Sequence, residues 1–270
     1  MNNFEKCHNS IKVIGTLKSK SKTSIQLNDG KELIKINLIV ASNILGIDCE
    51  NSIIFTYTNP SSNCITNESL FKSLKSIDDN GSNNANRIEI TGSLTMNEFF
   101  GTKTNKLITR NQLKANSISI INNDIELEDE AGVEMDCIVT GIIDEVDKKT
   151  NTPTGRKKVE IITIGYNSSI HEIQNVFVEK DLAQQFVQIY PVNTFGRLYL
   201  KVLNYLNHNN IEEKPNLAFG SPLTNSPEVL NTYTNEVIII GGDVPNKDKT
   251  CSLETINALK KQRESLRQQN

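Results

Sequence analysis

Apolar and polar residues alternate along much of this chain, and runs with helical spacing interrupt the alternation at a few places. Residues 11–21 (IKVIGTLKSKS) and 32–42 (ELIKINLIVAS) alternate and are joined across LNDGK, whose Asp29-Gly30 is a turn signal, so they predict a pair of strands. SIIFTY (52–57) predicts a third strand. NESLFKSLKSI (67–77) then sets Leu70, Phe71, Leu74 and Ile77 at helical spacing behind an Asn67 cap. After the polar loop DDNGSNNAN come two more alternating runs, 87–101 and 107–121. The second half follows the same plan: strands at 136–150, 156–166 and 170–178, a helix at 179–190, and a strand at 194–205. A long Asn- and Pro-rich loop at 207–233 precedes a last strand at 235–242. The tail, 252–270, turns Leu253, Ile256, Leu259 and Leu266 toward one side of a helix capped by Ser252.

Three strands, a helix and two strands is the order of the OB-fold, a small five-stranded Greek-key barrel with a helix between its third and fourth strands and a rim used for oligonucleotides. The expected fold is therefore mainly β: two tandem five-stranded OB-fold barrels, each with a helix between its third and fourth strands, plus a C-terminal helix. The expected division is a first OB-fold at 1–125, an acidic linker at 126–135, a second OB-fold at 136–245 and a helical tail at 246–270. IEITGSLTMNEFFGTKTNKLITRNQLKANSISII (88–121) resembles the last hairpin of bacterial single-stranded DNA-binding proteins. It has Gly92 two residues before Leu94, a tip with aromatics and Gly101, and a return strand of alternating Leu, Ala and Ile. IKVIGTLKSKS resembles that family's opening strand through Gly15 and Leu17, and Gly141 stands at the corresponding place in the second half. The resemblance covers residues 10–122 and implies single-stranded DNA as the partner. The family's Trp stacking residues and acidic C-terminal tip are absent.

Net charge, −3, argues against a nucleic-acid partner until its distribution is considered. Residues 1–125 carry 14 basic and 11 acidic side chains, and residues 148–270 carry 15 and 12, so each half is mildly basic. Residues 126–147 hold nine acids and no base, and the whole deficit lies there. Frequent Asn, Lys and Ile match the coding bias of an AT-rich genome.

Catalytic sets are missing from the sequence. His8, His171 and His208 are far apart, with no H-E-x-x-H, no phosphate-binding G-x-x-x-x-G-K-S/T and no G-x-S-x-G. Gly241-Gly242 reads as a strand-ending turn. The five cysteines (Cys7, Cys49, Cys64, Cys137, Cys251) are scattered, which points away from a zinc site or a disulfide framework. The acids of 126–147 lack the spacing of a calcium loop. No cofactor or metal is expected, and no enzyme. No stretch reaches the roughly 20 apolar residues of a membrane span, and MNNFEKCHNS lacks a signal-peptide layout, so an intracellular, cytoplasmic protein is expected.

Single strands are held by cations that neutralise phosphates and aromatic rings on which bases stack. In the first half the candidate cations are Lys12, Lys18, Lys20, Lys22, Lys35, Lys103, Lys106, Arg110 and Lys114. The candidate rings there are Tyr57, Phe99 and Phe100. Phe99 and Phe100 are adjacent, so one is expected to face in and the other out. In the second half the cations are Arg156, Lys157, Lys158, Arg197 and Lys201, with Tyr166, Tyr199 and Tyr205. The sharpest signal is TFGRLYLKVLNY (194–205), which turns Arg197, Tyr199 and Lys201 to one face and Leu198, Leu200 and Val202 to the other. The expected function is sequence-nonspecific single-stranded DNA binding in replication or recombination, in a phage or mobile element, with protein partners met through the C-terminal helix. The alternative is a non-catalytic structural or protein-interaction subunit, a virion or complex scaffold, that uses OB-fold modules.

Overall fold

A computed structural model of the protein describes residues 6–61, 63–101, 106–122, 126–147, 150–165, 169–211, 228–245 and 253–267. The alternating runs form strands longer than the pattern alone delimits: β1 (Asn9–Gln26), β2 (Glu32–Ile44), β3 (Ile47–Asn59), β4 (Arg87–Phe100) and β5 (Leu107–Ile120). Between β3 and β4 lie α1 (Cys64–Ser73) and the single turn α2 (Ile77–Asn80). α1 begins one turn before the expected Asn67 cap, with Asn63 at the cap position. The second half contributes β6 (Glu130–Val146), β7 (Pro153–Ile164), β8 (Ile170–Val178), α3 (Lys180–Ile189), β9 (Phe195–Ile211) and β10 (Glu228–Gly242), and α4 (Leu253–Arg267) follows.

All ten strands among the described residues belong to one hydrogen-bonded sheet. β1 pairs with β2 and β4, β2 with β3, β3 with β5 in parallel, and β5 with β4, so the pairings of the first half form a circuit. The same circuit recurs in the second half through β6–β7, β7–β8, β8–β10 in parallel, β10–β9 and β9–β6. Within this circuit β1 serves both β2 and β4, and its register with β2 shifts between Leu17 and Ser19, an irregularity of the kind that bends a strand. Glycine allows that approach. A Cβ on Gly15 would lie 2.3 Å from the Ala41 carbonyl oxygen, and one on Gly92, at the β4–β5 bulge, 1.9 Å from the Lys114 carbonyl oxygen.

Alternation sets the interior. Ile34, Ile36, Leu38 and Val40 of β2, with Leu17, Ile53, Ile88, Ile90 and Leu94, are buried in the first half. Leu198, Leu200 and Val202 of β9 join Val159, Ile161, Val176 and Val237 in the second. α3 adds Ala183 and Phe186, and Tyr190 stacks on the Phe186 ring at 5.5 Å and 7°.

Three sequence expectations are corrected. The acidic stretch is a linker only up to residue 129, because Glu130–Met135 is the start of β6 and pairs antiparallel with Asn9–Ile14 of β1. Ala131, Val133, Met135 and Cys137 are buried there while Gly132, Glu134 and Asp136 stay at the surface, so the segment is an ordinary half-buried strand with acids on its outer side. Residues 207–211 and 228–233 of the expected 207–233 loop are strand, since β9 and β10 pair out to Ile211↔Glu228, and the rest of that segment lies outside the described residues. Phe99 and Phe100 both face solvent, at 38% and 67% exposure, because the β4–β5 ribbon runs past the core and has no covered side at its tip.

The halves are further fastened by amide side chains. Asn111 of β5 binds the backbone of Gln174 in β8 at both ends, Nδ2 to O at 2.7 Å and N to Oδ1 at 2.8 Å. Asn204 of β9 donates to the buried Asn51 of β3 at 2.8 Å and accepts from Asn235. α4 docks on this body. Ile256 is buried with Cys7, Ile138, Ile162, Ile164 and Ile170, while Arg263 reaches Glu98 of β4 at 2.6 Å and Glu172 of β8 at 3.2 Å. No helix among the described residues is long and apolar enough to cross a membrane.

Candidate nucleic-acid interface

The Arg197–Tyr199–Lys201 row faces outward as its alternation requires, but β6 is its neighbour. The register sets Asp136 opposite Arg197 and Glu134 opposite Tyr199. Arg197 therefore binds Asp136 and Glu134, both at 2.7 Å, and Lys201 binds Glu130 at 3.0 Å. The Tyr199 hydroxyl donates to Asp243 at 2.9 Å, and this bond raises its pKa above the ordinary tyrosine value. The hydrogen bond to Asp136 likewise raises the pKa of Arg197. Burial disfavours the Asp136 carboxylate, yet the hydrogen bonds and charge of Arg197 outweigh it and hold its pKa below the usual carboxylate value. Every member of the row is thus occupied within the fold: it is a cross-strand ladder of opposite charges.

Many other candidate cations are engaged in the same way. Arg156 meets Glu236 at 2.9 Å, Glu179 at 3.1 Å and Glu145 at 3.4 Å, and lies 4.4 Å from the centre of the Phe177 ring. Lys157 pairs with Asp144, Lys12 with Glu89 and Lys18 with Glu50. Lys22 pairs with Glu68, which also accepts from the hydroxyl of the buried Tyr57, so that ring is core and no platform. Lys20 donates to the carbonyls of Phe71 (2.9 Å) and Leu74 (2.6 Å), closing the C-terminal end of α1. Tyr205 is half-buried against the core. Lys106 is exposed. Lys103 and Tyr166 lie outside the described residues.

Four candidates have no carboxylate partner among the described residues: Lys35, Arg110, Lys114 and Lys158. Three of them share one face. Lys114 is in register with Ile54 of β3, and Ile54 with Asn37 of β2. Lys35 is two residues from Asn37 and Arg110 four from Lys114, so all three cations point outward from the β2–β3–β5 face. β3 presents Ser52, Ile54 and Thr56 outward there, and its next outward residue, Glu50, is paired with Lys18. Arg110 rests 5.6 Å from the centre of the Phe99 ring.

Beside this face the β9–β10 arm of the second half crosses β3 and leaves a groove of about 270 Å³. Phe99, Arg110 and Gln112 line one side, Tyr233 and Asn235 the other. Tyr233, absent from the sequence candidates, is 58% exposed, and its hydroxyl is held by the Glu50 carbonyl at 3.1 Å. Its signal was the alternating Thr-Tyr-Thr of 232–234, hidden within a segment read as loop. Among the described residues no group of three or more His, Cys, Asp or Glu side chains is arranged to hold a metal ion.

Among solved structures the fold is similar to the wild-type single-stranded DNA binding protein from Thermus aquaticus. That likeness has a TM-score of 0.55 at 12% identity, over 92% of this chain and 98% of that one. A deletion mutant of the same protein gives a TM-score of 0.54 at 13% identity, over 90% and 97% of the two chains. At such identities the likeness is one of fold. Comparison with curated proteins gives no significant match. A family model, YorF, matches residues 8–270, nearly the whole length over which these strands, helices and grooves are built, and the chain belongs to the YorF family.

Proposed function

We propose that this protein binds single-stranded DNA without sequence preference, as a pair of OB barrels acting in replication or recombination. The observation that carries the reading is the β2–β3–β5 face, where Lys35, Arg110 and Lys114 stand without carboxylate partners among the described residues, beside the exposed Phe99 ring. Cations free to meet phosphates and a ring free to meet a base are the two needs of single-strand binding. The two circuits of strand pairing fit two five-stranded barrels, with residues 1–125 and 130–245 as their units and β1–β6 pairing between them. The fold likeness to the single-stranded DNA binding protein from Thermus aquaticus supports the same reading. On this view nothing is catalysed, the setting is the cytoplasm of a host carrying a phage or mobile element, and the exposed side of α4, with Lys261 and Glu264, meets protein partners.

A second reading, a protein-interaction subunit, is favoured by the apolar groove between α3 and β10, where Leu182, Ile189 and Ile240 are exposed around Gly241 and Gly242. Fluorescence anisotropy with labelled oligo-dT separates the two. The first reading expects binding whose log affinity falls with log salt at a slope of about −2, roughly −0.7 for each of three phosphate contacts. No binding at low salt would leave the second reading standing.

A further inference from the structure

We infer that the groove between the halves holds one base of the bound strand, stacked on Phe99 from one half and Tyr233 from the other. This inference rests on the single-strand reading above and names a site within it that neither half forms alone.

The two rings come from opposite sides of the junction and line the same groove. Tyr233 is anchored at its far end by the bond from its hydroxyl to the Glu50 carbonyl, while more than half of its surface stays open. A ring pinned by its edge with its body exposed offers a stacking surface whose orientation is set in advance. Phe99 is backed by the Arg110 guanidinium, which leaves a cation within reach of the strand at the groove's margin. The gap between the rings is also set in advance: the Asn111–Gln174 and Asn204–Asn51 bonds tie the halves together beside it.

The polar lining divides into two kinds. Asn204 is engaged within the fold, donating an amide hydrogen to Asn51 and accepting one from Asn235 at its oxygen. The side-chain amides of Asn97 and Gln112 have no hydrogen-bond partner among the described residues, and both line the groove. Each offers a donor and an acceptor on a rotatable stem, a combination that pairs with the edge of more than one base. Aromatic walls, adaptable amides and a flanking cation suit a flat, polar-edged ring attached to a phosphate chain. The second half's ladder, by contrast, has its cations filled and cannot supply such a site.

The test compares the full-length parent with Phe99→Ala, Tyr233→Ala and the double variant, using labelled oligo-dT and, as a second probe, an oligonucleotide carrying 2-aminopurine. Each single variant should bind about 5- to 150-fold more weakly, the range that stacking of one base supplies. The double variant should lose less than the product of the two, because both rings hold the same base. Quenching of 2-aminopurine on binding should be reduced in all three, and thermal melting should stay near the parent's because both rings are exposed. If both single variants bind as the parent does while Lys114→Glu loses affinity, the pocket is overturned and the binding face stands. Multiplying losses would place the rings on separate bases and overturn the shared pocket. Tighter binding of oligo-rU than of oligo-dT would overturn the assignment to DNA. If the parent binds neither, the single-strand reading fails and the pocket with it.

Discussion

The β9 row and the β2–β3–β5 face carry the same kinds of side chain on the same kind of strand, and the fold uses them differently. Arg197, Tyr199 and Lys201 lie beside β6, whose outer positions are acidic, and each is bound by a carboxylate. Lys35, Arg110 and Lys114 lie beside Ser52, Ile54 and Thr56, and none of them pairs with a carboxylate among the described residues, the nearby Glu50 being bound to Lys18. A basic and aromatic row is therefore a binding surface only when the neighbouring strand leaves it unpaired. A cation already satisfied at 2.7 Å must give up one charge-assisted bond to form another with a phosphate, so its net contribution to binding is small.

The largest expected effects lie beneath the two surfaces. Leu38, under the first face, and Leu200, under the ladder, are 0% and 1% exposed. Leu38→Ala and Leu200→Ala should each cost on the order of 2–5 kcal/mol of stability in urea unfolding, since each opens a cavity in a packed interior. Similar costs would show that the halves differ at their surfaces and not in their cores; a twofold disparity would break the comparison at its base.

Binding should then separate the surfaces. Arg110→Ala and Lys114→Ala should each weaken oligo-dT binding and flatten the salt slope by about 0.7, with stability unchanged. Arg197→Ala and Lys201→Ala should leave the slope as it is. If the second pair flattens it and the first does not, the roles assigned to the two halves are reversed.

A smaller effect concerns the ladder's own stability. Arg197→Ala takes the guanidinium from Asp136 and Glu134, leaving Glu134 only His8 at 3.3 Å, and solvent screening at this half-exposed site limits the cost to about 1 kcal/mol. The same stretch of the ladder sets a pH dependence. Because Asp136 has a lowered pKa in the folded protein, the stability it contributes is fully present above its ordinary value of 3.8 and is lost as pH falls through the lower folded value. Asp136→Asn should therefore flatten the acid limb of a stability–pH curve below pH 3.8 while leaving the neutral limb's shape unchanged. An acid limb identical to the parent's would mean that Arg197 does not hold Asp136 in solution.

Strand positions were legible because period-two alternation reports burial on one face, and IKVIGTLKSKS, ELIKINLIVAS and RLYLKV all carry it plainly. The stretch EAGVEMDCIV carries the same alternation, but its acids drew the reading toward a charged linker. Phe99 and Phe100 were misread for the opposite reason: alternation implies a covered side, and the ribbon's tip has none. Of the candidate site, Lys35, Arg110, Lys114 and Phe99 were present among the sequence candidates, with nothing to set them apart from Lys22 or Arg197. Tyr233 was missed because its strand lies at the far end of a segment whose Asn and Pro content suggested a loop.

By itself the amino-acid sequence determined which residues point inward, where the chain turns, and that its second half repeats the plan of its first, because each of these follows from neighbours along one strand. The tertiary structure alone decided which cations remain unpaired, since that depends on which strand lies alongside and on its register: β6 sets Asp136 against Arg197, and β3 sets Ile54 against Lys114. It also decided that Phe99 and Tyr233, 134 positions apart in the chain, line one groove. Coulomb and stacking interactions act over a few ångströms of space, and distance along the sequence does not measure that separation.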